Sequence, residues 1–290
     1  KAIPGRVHND KGFDYYWGPL GANDGGFVRI WHNRDTLGVD HDMAGLTRKY
    51  TDKAIDFIRK NKNEPFLLYL AHTMPHTIID ASPEFKGKSD AGLYGDVIEE
   101  LDHHTGRLIN EIDRLGLKEN TIIIYTSDNG PWCNDQEYQR KKNAAKVDWE
   151  GTKPIVWGSA GPLREGKGSN YEGGVRVPCI VRWPGKTPAG VSSGAIFASI
   201  DFLPTFVNLA GASLPSDRII DGVDQTELIT GKNKNGNRDT YFYQSGAHGV
   251  RKGKWKLLKP GRKPSTLRGQ RRRWPKDYGT NGIELYNLRE

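Results

Sequence analysis

The sequence predicts an α/β fold, and two observations carry that expectation. Apolar runs of strand length alternate with longer stretches whose apolar residues recur at helical spacing, as a sheet packed between helices requires. The strand-like runs also end in polar turns marked by Gly or Pro, and open α/β sheets collect their ligands at such strand ends.

The elements follow in order. Residues 47–60 place Ala54, Ile55, Phe57 and Ile58 on one side of a helix. The run Phe66-Leu67-Leu68-Tyr69-Leu70 reads as a strand that closes in Ala71-His72-Thr73-Met74-Pro75-His76. Residues 93–115 predict a long helix with a buried stripe of Val97, Ile98, Leu101, Leu108, Ile109 and Ile112, ended by Gly116. The β-branched run at 121–125 is a buried strand, and Gly130-Pro131 turns the chain after it. A polar insertion spans 134–158. Strands are expected at 177–183 and from 196 to 200, then a helix at 201–210 opened by Asp201 with Pro204 in its first turn. A polar linker at 232–238 separates a main domain, residues 1–232, from a smaller one, residues 233–290. The smaller domain carries short strands at 240–243, 249–251, 254–258 and 283–288, with Trp255 between lysines in a strand that has one buried face.

Composition narrows the functional classes. With 290 residues and 36% hydrophobic content, no stretch is apolar enough to span a membrane, and no signal peptide is visible. Cys179, in an apolar strand, reads as a core thiol, and neither it nor Cys133 has zinc-site spacing. The net charge of +8 is uneven, because residues 251–276 hold twelve Lys and Arg and no acid. Such a block suits a polyanion, or serves as a solvated surface loop. No helix-turn-helix, zinc-finger or RNA-binding signature accompanies it, so nucleic acid is not expected as a partner.

Three short segments carry chemistry. Asp128 and Asn129, in Ser127-Asp128-Asn129-Gly130, offer a carboxylate and an amide carbonyl at a strand end, hard oxygen donors of the kind Ca²⁺ or Mg²⁺ takes; the same tetrapeptide also makes a plain Asx turn. His76 lies just past a strand end, where an imidazole can donate to an anion or protonate a leaving oxygen. His72 and the pair His103-His104 read instead as structural. Lys167, flanked by Gly166 and Gly168, is a point charge suited to an oxyanion on a loop whose backbone can approach closely.

Taken in order, these segments resemble the sulfatase family of the alkaline phosphatase-like superfamily. The resemblance rests on residues 65–76, Ser127-Asp128-Asn129-Gly130, and Gly166-Lys167-Gly168 running into Tyr171-Glu172-Gly173-Gly174-Val175-Arg176. Gly12-Phe13-Asp14, Trp183-Pro184-Gly185, Asp201-Phe202-Leu203-Pro204-Thr205 and Ile220-Asp221-Gly222-Val223-Asp224 extend it from about residue 12 to the end of the chain. It implies an alkaline phosphatase-like sandwich, a central mixed sheet between helices, with a small C-terminal antiparallel-sheet subdomain. Residues 1–232 would be the catalytic domain without its N-terminal third, and 233–290 a shortened C-terminal subdomain.

The resemblance also implies a reaction. Sulfatases attack sulfur with the hydrated aldehyde of a formylglycine, made from the Cys or Ser of a Cys/Ser-x-Pro-x-Arg signature. That signature is absent from this chain: Ser213-Leu214-Pro215-Ser216-Asp217 places Asp217 where Arg is required. By the same likeness Asp128 and Asn129 would ligate Ca²⁺, with Mg²⁺ as the alternative. Lys167 would hold a sulfate oxygen or the leaving oxygen, and His76 would do similar work or give the leaving group its proton. The substrate would be a sulfated carbohydrate, aryl sulfate or steroid sulfate. Arg140, Lys141, Lys142 and Trp149 of the insertion would border the pocket mouth, and the protein would be periplasmic or secreted. The chain on its own is expected to be inactive and its parent active. A phosphomonoester or phosphodiester hydrolase of the same superfamily, a non-catalytic polyanion-binding protein and a fragment without its own function are the alternatives. The reading depends on the loops of His76, Asp128 and Lys167 converging at one rim of the sheet.

Overall fold

The computed structural model describes residues 5, 7–132, 158–243, 249–259 and 282–288, so Cys133, most of the 134–158 insertion and most of the basic block lie outside the described residues. The chain divides into two compact units, Lys1–Lys118 with Asp135–Gly158, and Glu119–Asn134 with Ser159–Glu290.

The first unit is built on an antiparallel sheet of β1 (Trp17–Pro19), β2 (Val28–His32) and β3 (Asp35–Asp40) and on two helices, α1 (Leu46–Asn61) and α2 (Gly92–Arg114). β2 and β3 form a hairpin whose turn opens on Asn33 in the left-handed region, φ 53°, a conformation Asn tolerates. Val28 and Ile30 meet Leu46 and Tyr50 of α1 and Leu93, Val97 and Leu101 of α2 in one core, with Met43, Met74, Ile79 and Ala81. Gly116, at φ 73°, ends α2 with Leu117 N–H donating to the Ile112 carbonyl at 3.1 Å.

The stripe of α2 differs from expectation. Ile98 is exposed, whereas Asp96, Glu100, His104 and Glu111 are buried. Each finds partners that periodicity cannot show. Asp96 accepts from the backbone N–H groups of Gly87, Lys88 and Ser89 at 2.8–3.0 Å, and Glu100 accepts from Ser82 N–H at 2.9 Å. Glu111 accepts from Arg59 and Arg114, which hold its carboxyl down at about 2. Residues 66–70 alternate half-buried and exposed positions as a strand would, but no ladder joins them among the described residues, and Leu67 and Tyr69 face solvent.

The second unit begins at β4 (Ile123–Thr126), paired antiparallel with β5 (Cys179–Arg182), so that Thr126 stands opposite Cys179. Cys179 is exposed at this strand end and is not the core thiol its apolar neighbours suggested. Residues 196–200 do not form a strand. The buried Asp201 carboxylate accepts from Ala198 N–H at 3.0 Å and curls the chain into the 3-10 turn Ser199–Asp201, which leads into the helix Phe202–Leu209 with Pro204 buried in its first turn. The same carboxylate accepts from Val223 N–H and from the guanidinium of Arg238, which also reaches the Asp221 carbonyl at 2.7 Å and the Thr240 carbonyl at 3.2 Å. Four antiparallel strands follow in sequence order, β6 (Thr240–Tyr243), β7 (Gly249–Lys252), β8 (Trp255–Leu258) and β9 (Glu284–Asn287). Register puts Phe242, Val250, Leu257 and Leu285 in one row on the outer face, beside the half-exposed Trp255. The opposite face buries Tyr243, Lys256 and Leu258. Among the described residues no helix is long and apolar enough to cross a membrane.

The histidines of the first unit make its stability sensitive to acid. Burial lowers His72 to about 4, with the neighbouring His104 adding to the effect. Burial and the Arg107 charge lower His104 to about 4, and Arg107 donates to its Nδ1 at 2.9 Å. The unfolded chain takes up these protons near pH 6.5, the folded one only near pH 4, so stability present above the unfolded value is lost as pH falls through that window. We expect a loss on the order of 1–3 kcal/mol between these limits. Urea unfolding midpoints followed against pH would show it, with a flatter profile for His104→Gln.

Candidate functional site

Each sequence-predicted residue sits in a loop whose shape its neighbours dictate. β4 ends at Thr126, whose hydroxyl donates to the Pro178 carbonyl at 2.9 Å and holds the strand end against the entry to β5. The Ser127 hydroxyl then donates to the Asn129 carbonyl at 2.9 Å, closing a tight turn that leaves Asp128 at its exposed tip. The Asn129 amide N–H donates to the Gly130 carbonyl at 2.9 Å, which commits its nitrogen and leaves Oδ1 as the available donor atom. Asp128 and Asn129 therefore present adjacent carboxylate and amide oxygens.

The loop that carries Lys167 is locked to this turn. Lys167 N–H donates to the Pro131 carbonyl at 2.8 Å, and Gly130 N–H donates to the Gly174 carbonyl at 2.9 Å. The approach is so close that only glycine fits at 130, where a Cβ would lie 1.8 Å from the Gly173 carbonyl oxygen; within the Lys167 loop itself, a Cβ on Gly174 would lie 2.3 Å from the Ser169 carbonyl oxygen. Gly173 in turn donates to the Arg164 carbonyl at 2.8 Å, so the short helix Glu172–Val175 closes the loop on itself. Lys167 is half-buried on this frame. The structure thus brings Asp128, Asn129 and Lys167 onto two interlocked loops of one unit.

His76 belongs to the first unit. Its ring Nδ1 lies 3.0 Å from Asn23 Oδ1 and 2.6 Å from the Thr77 carbonyl. The Asn23 amide nitrogen donates to the carbonyls of His76 and Ile78 at 3.2 and 2.9 Å, which orients Oδ1 toward the ring. Both neighbours of Nδ1 are acceptors, so Nδ1 carries a proton in either charge state and Nε2 is the working nitrogen. Asn23 is 1% exposed and was missed in the sequence, where Gly21-Ala22-Asn23-Asp24-Gly25-Gly26 looks like an ordinary turn. His104 is buried, and His72, half-buried, has its Nδ1 buried without a hydrogen-bond partner among the described residues.

Hard oxygens suit Ca²⁺, so the chemistry of Asp128 and Asn129 fits that ion. Two donors fall short of the six to eight it takes, and among the described residues no group of three or more His, Cys, Asp or Glu could hold a metal.

Comparison with known proteins places these loops in a family. The sulfatase family model matches residues 6–212, and the C-terminal model of N-sulphoglucosamine sulphohydrolase matches residues 166–259. Human steryl-sulfatase is 36% identical over 237 residues, 82% of this chain and 37% of that protein. Mouse arylsulfatase G is 30% identical over 276 residues, 83% of this chain and 51% of the relative. The chain therefore spans between about a third and a half of these curated relatives. A structure from work on the metabolism of multiple glycosaminoglycans by Bacteroides thetaiotaomicron covers 98% of this chain and 68% of its own, with a TM-score of 0.80 at 26% identity. A structure of Ps i-CgsB in complex with k-i-k-neocarrahexaose covers 99% and 62%, with a TM-score of 0.71 at 25% identity. The fold is the alkaline phosphatase-like one of those neighbours, with its C-terminal four-stranded antiparallel sheet. From the interlocked loops, the matched models and these relatives together, the chain belongs to the sulfatase family.

Proposed function

We propose that the protein is a sulfuric ester hydrolase that releases sulfate from a sulfated carbohydrate or an aryl sulfate. The observation that supports this reading is the backbone lock between the Asp128-Asn129 turn and the Lys167 loop, which ties the loop of the lysine to the turn of the two hard oxygen donors. A tetrahedral dianion needs positive charge where its oxygens gain charge in the transition state, and that is the service a held lysine performs. Relatives named for steryl, aryl and N-acetylgalactosamine-6-sulfate chemistry, and a neighbour bound to neocarrahexaose, support a sulfate ester as the substrate.

The residues divide the work. Lys167 binds a sulfate oxygen or the leaving oxygen. His76, with Nδ1 committed to Asn23 and the Thr77 carbonyl, keeps Nε2 as the nitrogen that would donate a hydrogen bond to substrate or, when protonated, give its proton to the leaving alkoxide. Asp128 and Asn129 would hold a Ca²⁺, or Mg²⁺, that withdraws charge from the sulfate oxygens. No Cys or Ser in the 290 residues is followed by Pro two places on and Arg four places on, so formylglycine is not assigned to any residue here.

An aryl sulfate assay tests the reading, with the aryl phosphate as its competitor. The full-length protein should turn over the sulfate ester and lose activity with a calcium chelator, while the 290-residue chain alone should be inactive. Preference for the phosphate ester, or turnover by this chain alone, would refute the respective part. Lys167→Met should lower kcat/KM by roughly 10²–10³-fold. Asn23→Ala frees the His76 ring to take the wrong tautomer and should lower kcat by on the order of 10-fold, less than His76→Ala. Steady-state kinetics of the three variants measures that order.

A further inference from the structure

The deepest charge in the C-terminal sheet has no part in the chemistry described above. Lys256 points from β8 into the interior with 1% of its side chain exposed. Its Nζ donates to Glu172 Oε1 at 2.7 Å and lies 4.1 Å from the centre of the Tyr243 ring. Glu172 is the first residue of the short helix that closes the Lys167 loop. An ion pair taken out of water gives little net stability against an apolar pair of the same size. It does impose one geometry, because moving either partner leaves a buried charge unmatched.

That geometry is passed on through backbone. Directly after Glu172, Gly173 donates to the Arg164 carbonyl at 2.8 Å, and the Gly174 carbonyl receives Gly130 N–H at 2.9 Å. A shift of Glu172 therefore moves both the loop of Lys167 and the turn of Asp128 and Asn129. The residue before it is tied to the same sheet, since the Tyr171 hydroxyl donates to Glu284 Oε2 of β9 at 2.9 Å. Arg164, at the other end of the loop, lies 4.0 Å from the centre of the Tyr171 ring and donates to the Tyr286 hydroxyl at 2.8 Å. The sheet grips the loop at both ends, and in the Lys256–Glu172 pair the ammonium is fully buried and the carboxylate nearly so, at 12% exposed.

We propose that Lys256 is a positioning residue that acts through Glu172 to hold Lys167 and the Asp128-Asn129 turn in register for a sulfate ester. This rests on the sulfatase reading above for its chemistry, though the brace itself does not. Lys256 touches no substrate. Its loss would leave binding of the ground state nearly intact and weaken the contacts made in the transition state, so the effect falls on kcat.

The experiment uses the full-length protein and three variants: Lys256→Met, Glu172→Gln, and the double variant, which leaves no buried charge unpaired and guards against failure of a single variant to fold. Aryl sulfate kinetics should show kcat lowered about 10- to 100-fold with KM within about threefold of wild type, and the double variant no worse than either single one. A purely structural role would lower the melting temperature and the folded fraction but leave kcat per folded molecule unchanged, and that result overturns the proposal. Amide hydrogen exchange provides the readout that does not depend on turnover. Exchange should quicken over residues 164–175 and at Gly130 in the folded double variant. If the wild type turns over no sulfate ester yet this local quickening appears, the sulfatase reading fails and the brace stands. If exchange at those amides is unchanged, the brace is wrong whatever the activity.

Discussion

Two backbone hydrogen bonds hold the candidate site together: Gly130 N–H to the Gly174 carbonyl, and Lys167 N–H to the Pro131 carbonyl. They join segments more than thirty residues apart in sequence, with the polar insertion between them. The approach requires Gly130 to carry no side chain where it meets the Gly173 carbonyl, while Gly173 and Gly174 must be bare for the Lys167 loop to fold back on the carbonyls of Arg164, Glu165, Gly166 and Ser169. Asp128, Asn129 and Lys167 ride on a frame that is already closed, so the entropy of ordering their loops is met by folding and not at the moment of binding.

His76 is held by a different device with the same effect. A fully buried amide, Asn23, spends its nitrogen on two carbonyls so that its oxygen can take one ring proton. The tautomer is then set by the fold, which leaves Nε2 as the working nitrogen. His72 and His104 of the same unit are kept neutral by burial, the first with no hydrogen bond at Nδ1 among the described residues and the second with Nδ1 taken by Arg107.

Much of this was legible in the sequence where the determining contacts are local. The two long helices, the turn after β4, the glycine that ends α2 and the four C-terminal strands follow from periodicity and turn residues. What failed depended on distant partners. Residues 66–70 have the alternation of a strand and no ladder among the described residues. Residues 196–200 curl because Asp201 caps them while Arg238, far along the chain, neutralises that carboxylate. Trp255 and Lys256 exchange the faces that hydrophobicity would assign, since Glu172 waits across the interior for an ammonium. Asp128, Asn129 and Lys167 are proposed from their motifs, and the structure adds that their two loops interlock; Asn23 and Lys256, which orient His76 and Glu172, carry no local signature.

The Asp201–Arg238 fork changes the character of the linker that precedes β6. By composition residues 232–238 would be a swivel, polar and rich in Asn and Gly. Arg238 closes that segment on a carboxylate with no solvent exposure and on the carbonyls of Asp221 and Thr240, so its far end is riveted to the helix Phe202–Leu209. β6 therefore starts from a residue pinned to that helix rather than from a loose tether.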